Sequence, residues 1–191
     1  MSAARPLDAP IAMSPEEYLR FVQTVEHKWE YVDGTAYMMS GGPPTHAALS
    51  FRVASALDQA IAGAHDCRVH TSDLSVQANR RYYFPDVTVI CGPVETGSGS
   101  LAAQNPALVV EVLSPSTQRV DRGEKLAAYL QIPSVRVVLL VSSTERRIET
   151  VRPDGTRTTH RPKENATVSL PEFGIEIELA AFYERVELDA G

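Results

Sequence analysis

Cysteine and tryptophan are scarce in this 191-residue sequence, which has two of the first and one of the second. Cys67 and Cys91 match no metal-ligand spacing and no disulfide framework, so both are expected as buried thiols in a chain of the reducing cytoplasm. Also missing is any apolar run near the roughly 20 residues that a membrane span needs. The N-terminal "MSAARPLDAP" carries one Arg with no apolar stretch behind it, so no secretory signal is expected. Positive charge is short too: 18 Lys and Arg against 24 Asp and Glu give a net charge of -6 and a pI near 5.4. That balance argues against a chain held to nucleic acid by bulk charge.

What remains is the composition of an ordinary soluble domain, 43% hydrophobic and 22% charged, long enough to bury a core without staples. One domain over 14–191 is expected, with 1–13 as a flexible lead-in. The charge is unevenly spread. Residues 136–163 hold seven basic side chains against three acids, whereas 164–191 hold seven acids against Arg185. A solvated hairpin and a solvated tail account for both blocks.

Local patterns give an α/β frame. Ser14 before Pro15, Glu16 and Glu17 is a helix N-cap, and "EEYLRFVQTV" continues with helical spacing, predicting a helix over about 14–27. "WEYVDGTAYMMS" has strand-forming residues on both sides of Asp33-Gly34, a tight hairpin turn. "THAALSFRVASALDQAIAG" predicts a second helix ending at Gly63. "CRVH", "LSVQ" and "RYYFPDVTVI" follow as strands, and 91–106 as a loop. "ALVVEVL", "QRVDRGEKLAAYLQ" and "VRVVLLV" then read as strand, helix and strand, a parallel crossover. A hairpin turning at Asp154-Gly155 comes next. The whole predicts a mixed sheet with one helix before it and another in the crossover.

Glu111 stands inside the apolar strand "ALVVEVL", where a lone buried carboxylate costs several kcal/mol unless a charge or hydrogen bond meets it. Asp86, after Pro85, opens the neighbouring strand. Two acids at adjacent strand ends repel unless a cation lies between them, and hard ions such as Mg²⁺ take one or two carboxylates plus water and phosphate oxygens. Asp121, Lys125 and Tyr129 recur every fourth residue and so share a helical face. If that face meets the strand, Lys125 approaches Glu111 and can stabilise charge on a phosphate. The same spacing also fits an exposed Asp121–Lys125 pair worth a few tenths of a kcal/mol.

Four segments in order, "KWEYVDGTAYMMSGGPPTH", "YFPDVTVI", "VVEVLSPST" and "DRGEKLAAY", resemble the Uma-two family of restriction-type endonucleases, a branch of the PD-(D/E)XK nuclease superfamily. The resemblance implies a restriction-endonuclease-like mixed β-sheet flanked by helices, DNA as partner, Mg²⁺ or Mn²⁺ as cofactor and a homodimer. It also implies Asp86 and Glu111 as catalytic acids and metal ligands, with the Val112 carbonyl as a third ligand and Glu30 as a supporting acid. The superfamily lysine is displaced: Leu113 stands two residues after Glu111, and Lys125 on the following helix fits its role.

His46, Ser114 and Tyr129 are the substrate-side candidates. For His46 a capping or packing role competes with contact to phosphate. Ser114, Ser116 and Thr117 also suit helix caps, and Tyr129 suits an inward side chain with its hydroxyl on an acid. Trp29 is expected in the core rather than stacked on a base. A metal-dependent endodeoxyribonuclease follows from the acids together with Lys125. A nuclease-like fold kept for nucleic-acid binding or assembly is the alternative, supported by the acidic net charge and the missing adjacent lysine. Glycoside hydrolysis by two acids finds no sugar-stacking cleft to support it.

Overall fold

Six strands form the sheet on which the chemistry rests, in the order β11-β10-β9-β8-β7-β4. The structure, a computed structural model, describes residues 9–63, 66–114, 121–164 and 166–190. β4 (Cys67–Thr71), β7 (Val87–Cys91), β8 (Pro106–Leu113), β9 (Val137–Ser142), β10 (Ile148–Val151) and β11 (Arg157–His160) are antiparallel neighbours throughout, except that β8 and β9 run parallel. A parallel pair requires a crossover, and the predicted strand–helix–strand unit supplies it. β8 and β9 are buried along their whole length, as their uninterrupted apolar sequences require.

A five-stranded sheet lies beside it in the order β1-β3-β2-β6-β5. Its members are β1 (Ile11–Ala12), β2 (Trp29–Val32), β3 (Thr35–Met38), β5 (Val76–Ala78) and β6 (Arg81–Tyr83). The β2–β3 turn is at Asp33-Gly34, with φ of 46° and 90°, the left-handed pair that a two-residue hairpin demands. Ile11 and Ala12 fall in the expected lead-in but pair with β3 as an edge strand. "RYYFPDVTVI" is not one strand: Arg81–Tyr83 joins the five-stranded sheet and Val87–Cys91 the six-stranded one. Pro85, which has no N–H for a ladder, sits at the break.

α1 (Pro15–Phe21) begins with a full capping box between Ser14 and Glu17. It stops well short of residue 27, where the Thr24 hydroxyl donates to the Phe21 carbonyl at 2.8 Å and competes with continuation of the helix. Trp29, buried as expected, meets Phe21 edge-on at 5.1 Å in a cluster with Tyr18, Tyr31 and Tyr82. α2 (Pro44–Ile61) covers one face of the six-stranded sheet, burying Leu49, Val53, Leu57 and Ile61 against Val87, Val89, Leu108 and Val110. β12 (Thr167–Leu170), β13 (Ile175–Glu178) and α4 (Leu179–Phe182) complete that layer.

The opposite face is closed by the crossover. Its described part is a π-helical turn, Asp121–Lys125, continuing into α3 (Leu126–Tyr129), and it packs with Val109, Leu113, Val138, Leu140 and Tyr83. Residues 118–120 of the predicted helix, and the cap candidates Ser116 and Thr117, lie outside the described residues.

Two expectations are overturned. Cys67 and Cys91 are not separate thiols: they stand opposite each other across β4 and β7 and form a disulfide. Their separation of 24 residues gave no hint of this, because the strand register alone brings them together. Cysteine usage therefore lends no support to a reducing compartment. The second concerns the charge blocks, which are not simply solvated. Arg152 pairs with Glu172, Arg161 with Glu145 at 3.1 Å, and Arg52 with Glu184 at 3.3 Å. Among the described residues no helix is long and apolar enough to cross a membrane.

Candidate active site

Strand register decides which side chains can meet. Val87 is opposite Val110, and the Asp86 N–H donates to the Val110 carbonyl at 3.1 Å, so Asp86 lies opposite Glu111. Glu111 in turn is opposite Leu140 of β9. Directly paired residues share a face, so both acids project to the side covered by the crossover. Asp86 is fixed further by its Oδ2, which accepts the Val112 N–H at 2.7 Å. Because N–H and C=O of one strand residue point the same way, the Val112 carbonyl also faces the Asp86 side.

The crossover delivers the cation. Lys125 is 8% exposed, so the exposed-pair reading of Asp121 and Lys125 does not hold. Its Nζ lies 2.8 Å from Glu30 Oε1, 3.6 Å from Glu111 Oε1 and 3.7 Å from Asp121 Oδ1. One turn on, the Tyr129 hydroxyl donates to Glu111 Oε1 at 2.6 Å, as its helical position predicts. Glu30 arrives from β2 of the other sheet and also accepts the Phe84 N–H at 3.1 Å, tying the site to the joint between the sheets. Glu111, Asp121, Lys125 and Tyr129 are all buried, and the π-helical turn that starts at Asp121 is a feature often found at functional sites.

Electrostatics separate the members. Burial drives the Glu111 carboxyl well above the usual carboxylate range, and the charges of Asp86 and Asp121 push it further, against the pull of Lys125. Burial pulls Lys125 down, but Glu111, Glu30 and Asp121 outweigh it and hold the ammonium above the ordinary lysine value. Burial, then Glu111 and Glu30, raise the Tyr129 hydroxyl, keeping it a neutral donor. His46 is neither a cap nor simple packing: its Nε2 lies 3.2 Å from Asp86 Oδ2, and that bond raises its pKa. The first turn of α2 places it there.

Asp86, Glu111, Val112, Ser114, Asp121, Lys125 and His46 line one cleft of about 180 Å³, closed on another side by Gly41, Gly42 and Pro43. Four carboxylates, counting Glu30, face one ammonium and one imidazole. Among the described residues no three His, Cys, Asp or Glu side chains form a ready-made metal cage. The donor set still fits a hard cation of the Mg²⁺ kind, which needs only one or two carboxylates and completes its shell with water and phosphate. Asp86 and Glu111, with the Val112 carbonyl, are the residues that could hold it. Ser114, at the end of β8, is buried on the cleft wall.

The family model for Uma2, described as "Putative restriction endonuclease", matches residues 15–181. The chain belongs to the Uma2 family. A Synechocystis relative, "Uncharacterized protein slr1290", is 41% identical over 139 residues, 72% of each chain. A second from the same organism, "Uncharacterized protein sll1609", is 29% identical over 76% of this Uma2 chain and 83% of its own length. The fold is similar to the crystal structure of a putative nuclease belonging to DUF820 from Anabaena variabilis, with a TM-score of 0.74 at 16% identity over 92% of this chain and 99% of that one.

In this Uma2 chain Leu113, two residues after Glu111, is buried in the apolar cluster under the crossover. The ammonium beside Glu111 is that of Lys125. The sequence reading passed over a second charged cluster on the same sheet face. Glu149 of β10 is buried and takes a two-pronged contact from Arg122, at 2.8 and 2.9 Å, with Arg147 and Arg157 at 3.1 and 3.4 Å. Its signal was available: an acid inside the strand "IETV", as Glu111 is inside "VVEV".

Proposed function

We propose that this Uma2 chain is a metal-dependent endonuclease that hydrolyses DNA phosphodiester bonds at the Asp86–Glu111–Lys125 cleft. The observation that carries this reading is the buried Lys125 ammonium, held within 4 Å of Glu30, Glu111 and Asp121 beside an acid pair that exceeds it in charge. A structural ion pair needs one carboxylate. A site for phosphate needs acids for a cation and a fixed positive group for the transition state.

A bound divalent ion supplies Lewis acidity, making water a better nucleophile and drawing charge from the phosphate. The chain's own residues prepare the rest. Asp86 and Glu111 present oxygen ligands from adjacent strands, and the Tyr129 hydroxyl fixes Glu111 by its bond to Oε1. Glu30 orients Lys125, whose ammonium can steady the attacking oxygen or the charge that builds on the scissile phosphate. His46, in contact with Asp86 at the cleft mouth, is placed to meet a phosphate oxygen.

Plasmid nicking in Mg²⁺ or Mn²⁺ tests the proposal. Wild type is expected to cut, Asp86→Ala to fall to background, and Lys125→Ala to lose about 10²–10³-fold in rate. Equal cutting by all three proteins would trace the activity to a contaminant and remove the enzyme reading. A wild type that binds DNA without cutting it would favour the binding or assembly alternative.

A further inference from the structure

The arginine cluster around Glu149 lies on the same sheet face as the acids. Register runs from Asp86 to Glu111, Leu140, Glu149 and Thr159 in one row across β7, β8, β9, β10 and β11. Side chains alternate along a strand, so Arg147, at the entry to β10, and Val151 share the face of Glu149. Arg157, paired with Val151, projects to that face as well, and its contact with Glu149 agrees. Arg122 joins from the crossover, three residues before Lys125.

Charge here is in excess rather than balanced. Glu149 and Glu145 are the acids of the cluster, and Arg122, Arg147, Arg157 and Arg161 all reach one or both of them. A guanidinium has five N–H donors, and a single long contact such as the 3.4 Å one from Arg157 leaves most of them unspent. The Arg157 and Arg161 side chains are 48% and 60% exposed. The glutamates thus hold a fan of guanidiniums in place, which suits an oxyanion such as a phosphate that accepts hydrogen bonds at more than one oxygen.

Neighbouring strands lie about 4.8 Å apart, so β10 and β11 stand about 10–14 Å from Glu111 along the row. Successive phosphates on one strand are farther apart than the axial rise of about 3.4 Å, so the cluster lies within a few nucleotides of a phosphate at the cleft. We infer that Arg122, Arg147, Arg157 and Arg161 form a backbone-phosphate clamp that seats the DNA strand flanking the cleavage point. The net charge of the whole chain hides this patch, since the acids that outnumber its arginines lie elsewhere. The inference rests on the nuclease reading of the Asp86–Glu111–Lys125 cleft.

The test is binding of a short labelled duplex by the full chain, followed by anisotropy over about 50–200 mM salt, with Ca²⁺ replacing Mg²⁺ to suppress cutting. Arg157→Ala and Arg161→Ala should each lower the salt slope by about 1 and weaken binding about eightfold at 0.1 M salt. Arg157→Lys, which keeps the charge, should retain the slope. Wild-type slopes in both alanine variants would overturn the clamp while leaving nuclease activity standing. A wild type with neither binding nor cutting would overturn both. Should Arg157→Ala fold poorly, the more exposed Arg161→Ala carries the measurement.

Discussion

Glu111 and Glu149 stand in one row on one face of one sheet, two strands apart, and both are buried. Their carboxyls are nevertheless driven in opposite directions. Glu111 is raised chiefly by burial, against the pull of Lys125, with Asp86 and Asp121 adding to the rise. Glu149 is lowered, first by its bonds from Arg122 and then by the charges of Arg122, Arg147 and Arg157. Burial leads at Glu111, whereas at Glu149 the bonds and charges of the arginines outweigh it, and this sets the opposite directions. At one end of the row carboxylates outnumber the ammonium and imidazole that meet them, and at the other guanidiniums outnumber carboxylates. A metal ion and a phosphate chain would complement the two ends respectively.

The largest effect expected from breaking this comparison is on the cleft. Mg²⁺ or Mn²⁺ at about a hundred times its dissociation constant should stabilise the native state by about 2.7 kcal/mol. For a domain of this size, that raises the melting temperature by about 5–10 °C. Calorimetry with and without metal measures it, and an unchanged transition at millimolar ion would contradict a preformed site. Asp86→Ala should abolish the shift.

Next in size is the arginine end. Glu149→Gln takes the charged acceptor from Arg122 and Arg157 and one of two from Arg147, at a cost of about 2 kcal/mol once their partial exposure is allowed for. The melting temperature should fall by about 4–8 °C at neutral pH. A lowered native pKa contributes stability that is present above the ordinary carboxylate range and is lost as pH falls through the native value. The gap between wild type and variant should therefore close in acid. A gap independent of pH would mean that shape, not charge, is what Glu149 supplies.

The smallest effect has the opposite sign. Glu111→Gln keeps an oxygen for the Tyr129 hydroxyl, and Lys125 keeps Glu30 at 2.8 Å. Without metal the variant should melt about 2–4 °C higher at neutral pH, corresponding to about 1 kcal/mol. A raised native pKa penalises the wild type as pH climbs above the ordinary carboxylate range, so the gain should vanish in acid. Added Mg²⁺ should reverse the order of the two proteins. A variant less stable than wild type in metal-free neutral buffer would show that Lys125 already satisfies Glu111.

The parts of this arrangement that were legible in the sequence are those written in local pattern. Ser14 with Glu17 announced the first helix, Asp33-Gly34 the hairpin, and an acid in an apolar strand the site. The spacing of Lys125 and Tyr129 placed both on the inner side of the crossover, and the structure puts both against Glu111. What stayed hidden depends on pairing between distant segments. Only the β4–β7 register brings Cys67 to Cys91, and only the split at Pro85 hands β6 and β7 to different sheets. His46 reaches Asp86 because α2 starts beside that split, which no periodicity reveals. Glu149 was overlooked because a charge-rich hairpin ordinarily faces water, and its three guanidinium neighbours come from the crossover, the entry to β10 and β11.

β7 is anchored at its two ends by different means: a covalent sulfur bridge to the edge strand at Cys91, and a carboxylate-to-amide bond to β8 at Asp86. Reducing the bridge would leave the edge strand held to β7 by its ladder alone, while the acid end keeps its own bond to β8. A change of oxidation state would therefore be felt at the margin of the molecule before it reached the Asp86–Glu111 cleft.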